Sequence, residues 1–125
     1  MLRIGDVIEI FDSLTRPKKP KWHICICDQR RLFLRINSRP LWPPHHEIYE
    51  EHNTFLDHDS YVELRQLLHF SEQAVTDALR LLKNPIGRID KNEARQLAMT
   101  ARNVPTLNDE QKDLIWLNLT SLSYQ

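Results

Sequence analysis

The sequence predicts an α+β fold, a small antiparallel β part followed by three helices, and two observations decide this. Up to about residue 66, apolar residues fall in short alternating runs broken by Pro, Asn, Asp and Ser, the two-residue period of strands. From Ser71 onward they recur every three to four residues behind cap-forming side chains, the period of helices. A chain of 125 residues fits one domain, 1–125, with 1–66 as the β part and 71–122 as the helical part.

Gly5-Asp6 reads as an early turn, and Val7, Ile8, Ile10 and Phe11 behind it predict a strand over 7–11. Asp12 to Pro20 breaks that strand; Pro17 and Pro20 fix φ and push the residues before them toward extended backbone, so the loop should be stiff. Lys21 to Cys27 is the clearest strand, with Trp22, Ile24 and Ile26 on one face and His23, Cys25 and Cys27 on the other. Asp28-Gln29-Arg30-Arg31 connects it to an antiparallel partner over Leu32 to Ile36. The three prolines of Arg39 to Pro44, RPLWPP, make a crossing loop. Short strands are expected at His45 to Tyr49 and Ser60 to Leu64.

In the helical part Ser71 is the expected N-cap of a helix whose face is Ala74, Val75, Ala78, Leu79 and Leu82, stopped by Asn84-Pro85 and Gly87. Asp90 with Glu93 has the spacing of a capping box, followed by Ala94, Leu97, Ala98 and Ala101 and ended by Pro105. Asn108 with Gln111 repeats the cap logic, and Leu114, Ile115, Leu117 and Leu122 support a third helix to about Thr120.

With 41% hydrophobic and 27% charged residues and only two Gly, the composition is that of an ordinary globular protein. No apolar run approaches the ~20 residues needed to span a bilayer, and MLRIGDVIEI carries charges where a secretory signal is apolar. A cytoplasmic protein without membrane partners is expected. Cys25 and Cys27, two apart in a strand, read as buried small hydrophobes, since neighbours at that spacing make no ordinary disulfide and two thiols alone make a poor zinc site.

Acids and bases balance at 17 each, but unevenly along the chain. Ser13 to Arg35 holds seven Lys or Arg (Arg16, Lys18, Lys19, Lys21, Arg30, Arg31, Arg35) against Asp28 alone, whereas Glu47 to Glu63 holds six acids and no Lys or Arg. A basic stretch of this kind attracts phosphates over a Debye length of roughly 8 Å; the plainer reading is a solvated loop. The acidic segment either faces it or is itself solvated.

Chemistry on a phosphate drawn to the basic stretch would need a base and an acid for proton transfer and donors for developing negative charge. Imidazoles titrate near neutrality, which makes His23 and His58 candidates, with Asp57 or Asp59 placed to orient His58. Arg16, Lys18 and Lys21 suit charge stabilisation, Ser38 or Ser60 suits a phosphate oxygen, and Trp22 and Trp42 suit stacking on unpaired bases. Each has a structural alternative: His23 as a core histidine, DHDS as a polar turn, Trp22 as core packing. A metal-dependent hydrolase using His45, His46, His52, Asp57, His58 and Asp59 is a third reading, with unspecific spacing.

The order of Gly5-Asp6 opening a strand, a Pro-rich basic loop, PKWHICIC, RINS, FLDHDSYVE and C-terminal helices resembles the MazF/PemK-type toxin family over about 1–82. The resemblance implies a small five-stranded SH3-like β-barrel with C-terminal helices. It further implies an endoribonuclease acting on single-stranded RNA without metal or other cofactor, a homodimer, and an antitoxin protein as partner. Lys21-Trp22 stands where the family has Arg-Pro, and Asn37-Ser38 where it has Thr-Ser. By that correspondence Lys21, or a nearby cation such as Arg16, takes the place of the family's catalytic arginine and Ser38 that of its threonine; together with His58 from the residue chemistry above these are the candidate catalytic set, and Lys18, Lys19, Trp22, Asn37 and Ser60 the candidate RNA-binding set. The alternative on the same fold is a non-catalytic RNA- or protein-binding module.

Overall fold

The computed structural model describes residues 1–12, 19–81 and 83–122. Arg16 and Lys18 of the expected site, and Leu82 of the expected helix face, lie outside these. Strand β1 spans Asp6–Asp12, β2 Lys19–Cys27, β3 Leu32–Asn37, β4 His45–Ile48 and β5 Ser60–Glu63. These are the five strands expected, and two short ones join them: β6 at Leu68–His69 and β7 at Gly87–Arg88. Helices α1 (Glu72–Leu79), α2 (Lys91–Ala101) and α3 (Asp109–Thr120) complete the α+β fold, with a single 3-10 turn at Glu50–His52.

The sheet is antiparallel and curled into a half-barrel, in the order β4-β5-β3-β2-β1-β7 with β6 beside β3. Its division from the helical part is not clean, because β7 comes from the segment between α1 and α2 and pairs with β1 at Asp6↔Arg88 and Val7↔Gly87. Strand alternation gives the sheet two apolar faces. Val7, Ile24, Ile26, Leu34, Ile36 and Val62 meet α2 and α3 through Leu97, Ala98, Ile115 and Leu119. Ile8, Ile10, Cys25 and Phe33 meet α1 through Val75 and Ala78. Both cysteines are free and buried as expected, and burial pushes the Cys25 thiol well above the usual range.

His23 is fully buried on the α1 side, edge-on to Phe33 and Phe70, so the core reading of this residue holds. Ser71 caps α1 by accepting from the Ala74 N–H. Asn108 and Gln111 form the complete capping box of α3. At α2 only half the expected box forms: Asp90 accepts from the N–H groups of Asn92 and Glu93, but the Glu93 carboxylate turns away to the 49–53 segment. Among the described residues no helix is long and apolar enough to cross a membrane.

Candidate functional site

At one end of the half-barrel, where β2 leaves the core and β3 and β5 end, a cleft of about 310 Å³ opens. It is lined by Pro20, Lys21 and Trp22 of β2, by Ile36 and Ser38 at the end of β3, and by Leu56, Asp57, His58 and Ser60 on the way into β5. The strand register explains the gathering. Trp22 faces Ile36 across β2 and β3, and Ile36 faces Val62 across β3 and β5. Residues two further along each strand, Pro20, Ser38 and Ser60, therefore project from the same face beyond the core.

Five of the nine expected site residues, Lys21, Trp22, Ser38, His58 and Ser60, line this one cleft. Trp22 is partly buried against the core and walls the cleft at the same time, with Phe55 tilted against it at a centroid distance of 6.1 Å. Asn37 is separated from its neighbour Ser38: it is buried, and alternation turns it to the opposite face, beside Tyr61. Lys19 enters as the first residue of β2. Trp42 lies elsewhere, under the Arg65 guanidinium at 5.0 Å.

His58 is held by its own loop. Its Nδ1 donates to the Asp59 carbonyl at 2.9 Å, its Nε2 lies 3.4 Å from the Asp57 carboxylate, and the Ser60 hydroxyl donates to the His58 carbonyl at 3.3 Å. Of the two acids expected near the imidazole, Asp57 is the one whose carboxylate lies beside it. The Asp59 carboxylate instead accepts from the Glu50 N–H at 2.9 Å and ties this loop to the 3-10 turn. Both imidazole nitrogens thus face oxygen atoms of the same loop, one a carbonyl and one a carboxylate.

The histidines and acids of the metal reading disperse. His45 packs edge-on to Tyr61, His46 meets the Thr100 hydroxyl, and His52 meets Glu93. Among the described residues no three His, Cys, Asp or Glu side chains converge on a metal-sized point. The acidic segment is largely engaged by its neighbours. Glu63 is buried beside Arg35 and Arg65 at 3.7 and 3.3 Å, and the charge and hydrogen bonds of Glu47 push the phenols of Tyr49 and Tyr61 up.

Pro20, Ile36 and Leu56 line the cleft without being among the residues expected there, and Glu9, also unexpected, accepts from the Trp22 indole at 3.1 Å. Ile36 was within reach, since it shares the face of Trp22 and Ser38 by alternation. Leu56 was not, because it arrives from a loop with no period. Comparison with family models, with curated proteins and with solved structures finds no match to this chain.

Proposed function

We propose that this chain is a toxin-like, metal-independent endoribonuclease acting on single-stranded RNA in the cytoplasm, with an antitoxin protein as partner and a homodimer as its working form. The reading of the curled sheet as an SH3-like barrel belongs to the same proposal. One observation carries it: a cation and an aromatic ring on β2, Lys21 and Trp22, line one open cleft with the hydroxyl of Ser38 just past β3 and the imidazole of His58 in the loop before β5.

The chemistry is transesterification. The ribose 2′-oxygen attacks phosphorus, the bond to the 5′-oxygen breaks, a base takes the 2′-hydroxyl proton and an acid protonates the leaving oxygen, giving a 2′,3′-cyclic phosphate and a 5′-hydroxyl. His58 serves proton transfer, Lys21 the charge developing on the phosphorane, and Ser38 a hydrogen bond to its oxygens, with Ser60 joining once its hydroxyl turns from the His58 carbonyl to the phosphate. Trp22 takes a base, as aromatic side chains commonly do with unpaired RNA.

The alternative is a non-catalytic RNA- or protein-binding module, favoured by the attachment of both His58 nitrogens to its own loop. Incubation with single-stranded RNA in EDTA separates the two. Cleavage that Lys21→Ala or Ser38→Ala abolishes is the expected result. Binding without cleavage replaces the enzyme with the module, and an activity that EDTA removes and zinc or manganese restores replaces it with a metal-dependent hydrolase.

A further inference from the structure

Trp22 and Glu9 are directly opposite on β2 and β1, so their side chains leave the sheet on the same face. The Trp22 Nε1–H donates to Glu9 Oε2 at 3.1 Å. Glu9 is itself fixed through its backbone: its N–H donates to Asn84 Oδ1 at 2.9 Å, and Asn84 Nδ2 donates to the Glu9 carbonyl at 3.2 Å and to the Ala78 carbonyl at 2.5 Å. The Asn84 carboxamide thus continues the ladder along β1 beyond the two residues that β7 pairs. On its other side the indole meets Phe55, and Phe55 is seated on Gly87 so closely that a Cβ there would lie 2.7 Å from the Phe55 Cβ.

From this chain of contacts, Asn84 to Glu9 to Trp22 and Gly87 to Phe55 to Trp22, we infer that Glu9 is a positioning residue that holds the Trp22 ring ready to stack an unpaired base. The inference rests on the RNA reading of the cleft. Glu9 is bonded to the indole N–H and is not among the cleft-lining residues, so it acts through the ring. A ring fixed before the ligand arrives loses little rotational freedom on binding. The segment 84–88, which in the sequence only stops a helix, is then the backing of the aromatic wall.

The test uses the whole chain, a labelled mixed-sequence single-stranded RNA in EDTA read by anisotropy, and the exchange rate of the Trp22 indole proton read by NMR without RNA. Glu9→Leu, which removes the acceptor, and Glu9→Asp, which withdraws it by one methylene, should weaken RNA binding about fivefold or more and speed indole exchange. Glu9→Gln, which keeps an acceptor oxygen at the same reach, should bind within about twofold of wild type. If Glu9→Leu fails to fold, Glu9→Asp decides. Wild-type binding by Glu9→Asp, with binding lost in Trp22→Ala, overturns the role of Glu9 and leaves the RNA reading standing. Unchanged binding by Trp22→Ala removes the stacking role and the inference with it. A wild-type chain that binds no RNA overturns both.

Discussion

His52 Nδ1 lies 2.6 Å from Oε2 of Glu93, a carboxylate only 2% exposed in the first turn of α2. The other oxygen of Glu93 accepts from the Tyr49 N–H and from Asn53 Nδ2, each at 3.0 Å, and Asn53 Oδ1 accepts from the Asp90 N–H at 2.8 Å. One buried carboxylate thereby ties the 49–53 turn to α2. Through Glu50 and Asp59 that turn is tied to the loop carrying His58. Glu93→Ala strands these donors in a closed space and should destabilise the fold by about 3 kcal/mol, measured by urea unfolding. A loss under ~1 kcal/mol would mean that water replaces the carboxylate at little cost.

The same pair sets a pH dependence. The hydrogen bond to Glu93, with the charges of Glu93, Glu51 and Asp90, raises the His52 pKa above its ordinary value. A histidine whose folded pKa is raised binds its proton more tightly in the folded state. Its stabilisation is therefore complete below the unfolded pKa near 6.5 and disappears as pH rises through the folded value. The stability gap between wild type and His52→Asn should be widest below pH 6.5 and narrow as pH rises above it. A gap independent of pH would assign the contact no dependence on the imidazolium charge.

His23 acts in the opposite sense. Burial lowers its pKa to about 4, although its Nδ1 donates to the Lys21 carbonyl at 2.9 Å. Between pH 6.5 and about 4 the unfolded chain holds a proton here that the folded chain does not. Stability should fall as pH drops through that window and level off below it, by a total on the order of 3 kcal/mol. Urea midpoints from pH 7 to 4 should show a shallower acid slope for His23→Phe than for wild type. Equal slopes would place the acid sensitivity in other groups.

What could be read from the sequence was what local chemistry decides. Trp22, Ile24 and Ile26 alternate onto the face they occupy, and Asn108 with Gln111 closes a box that needs nothing beyond four consecutive residues. The failures are tertiary. Glu93 has the spacing of a capping residue, yet three donors from the 49–53 segment compete for its carboxylate and win. Leu68–His69 and Gly87–Arg88 are too short to carry a period and become strands only because β3 and β1 offer them an edge. Asn37 and Ser38 are adjacent in sequence and were expected to act together, but a strand turns neighbours to opposite faces.

Gly87 shows how such a tertiary constraint reaches the cleft. It pairs with Val7, so its backbone cannot withdraw without breaking the β1 edge. An alanine there would place its Cβ 2.7 Å from the Phe55 Cβ and 2.9 Å from Cδ1. Phe55 must then shift, and the ring it would vacate is the one packed on Trp22. Gly87→Ala should cost about 1 to 3 kcal/mol in urea unfolding, in the range of overpacking substitutions. It should also move the Trp22 indole resonance while leaving those of Trp42 and Trp116 in place. Full stability with an unmoved resonance would show that Phe55 yields without disturbing the wall, and would leave the Glu9 hydrogen bond as the sole restraint tested on that ring.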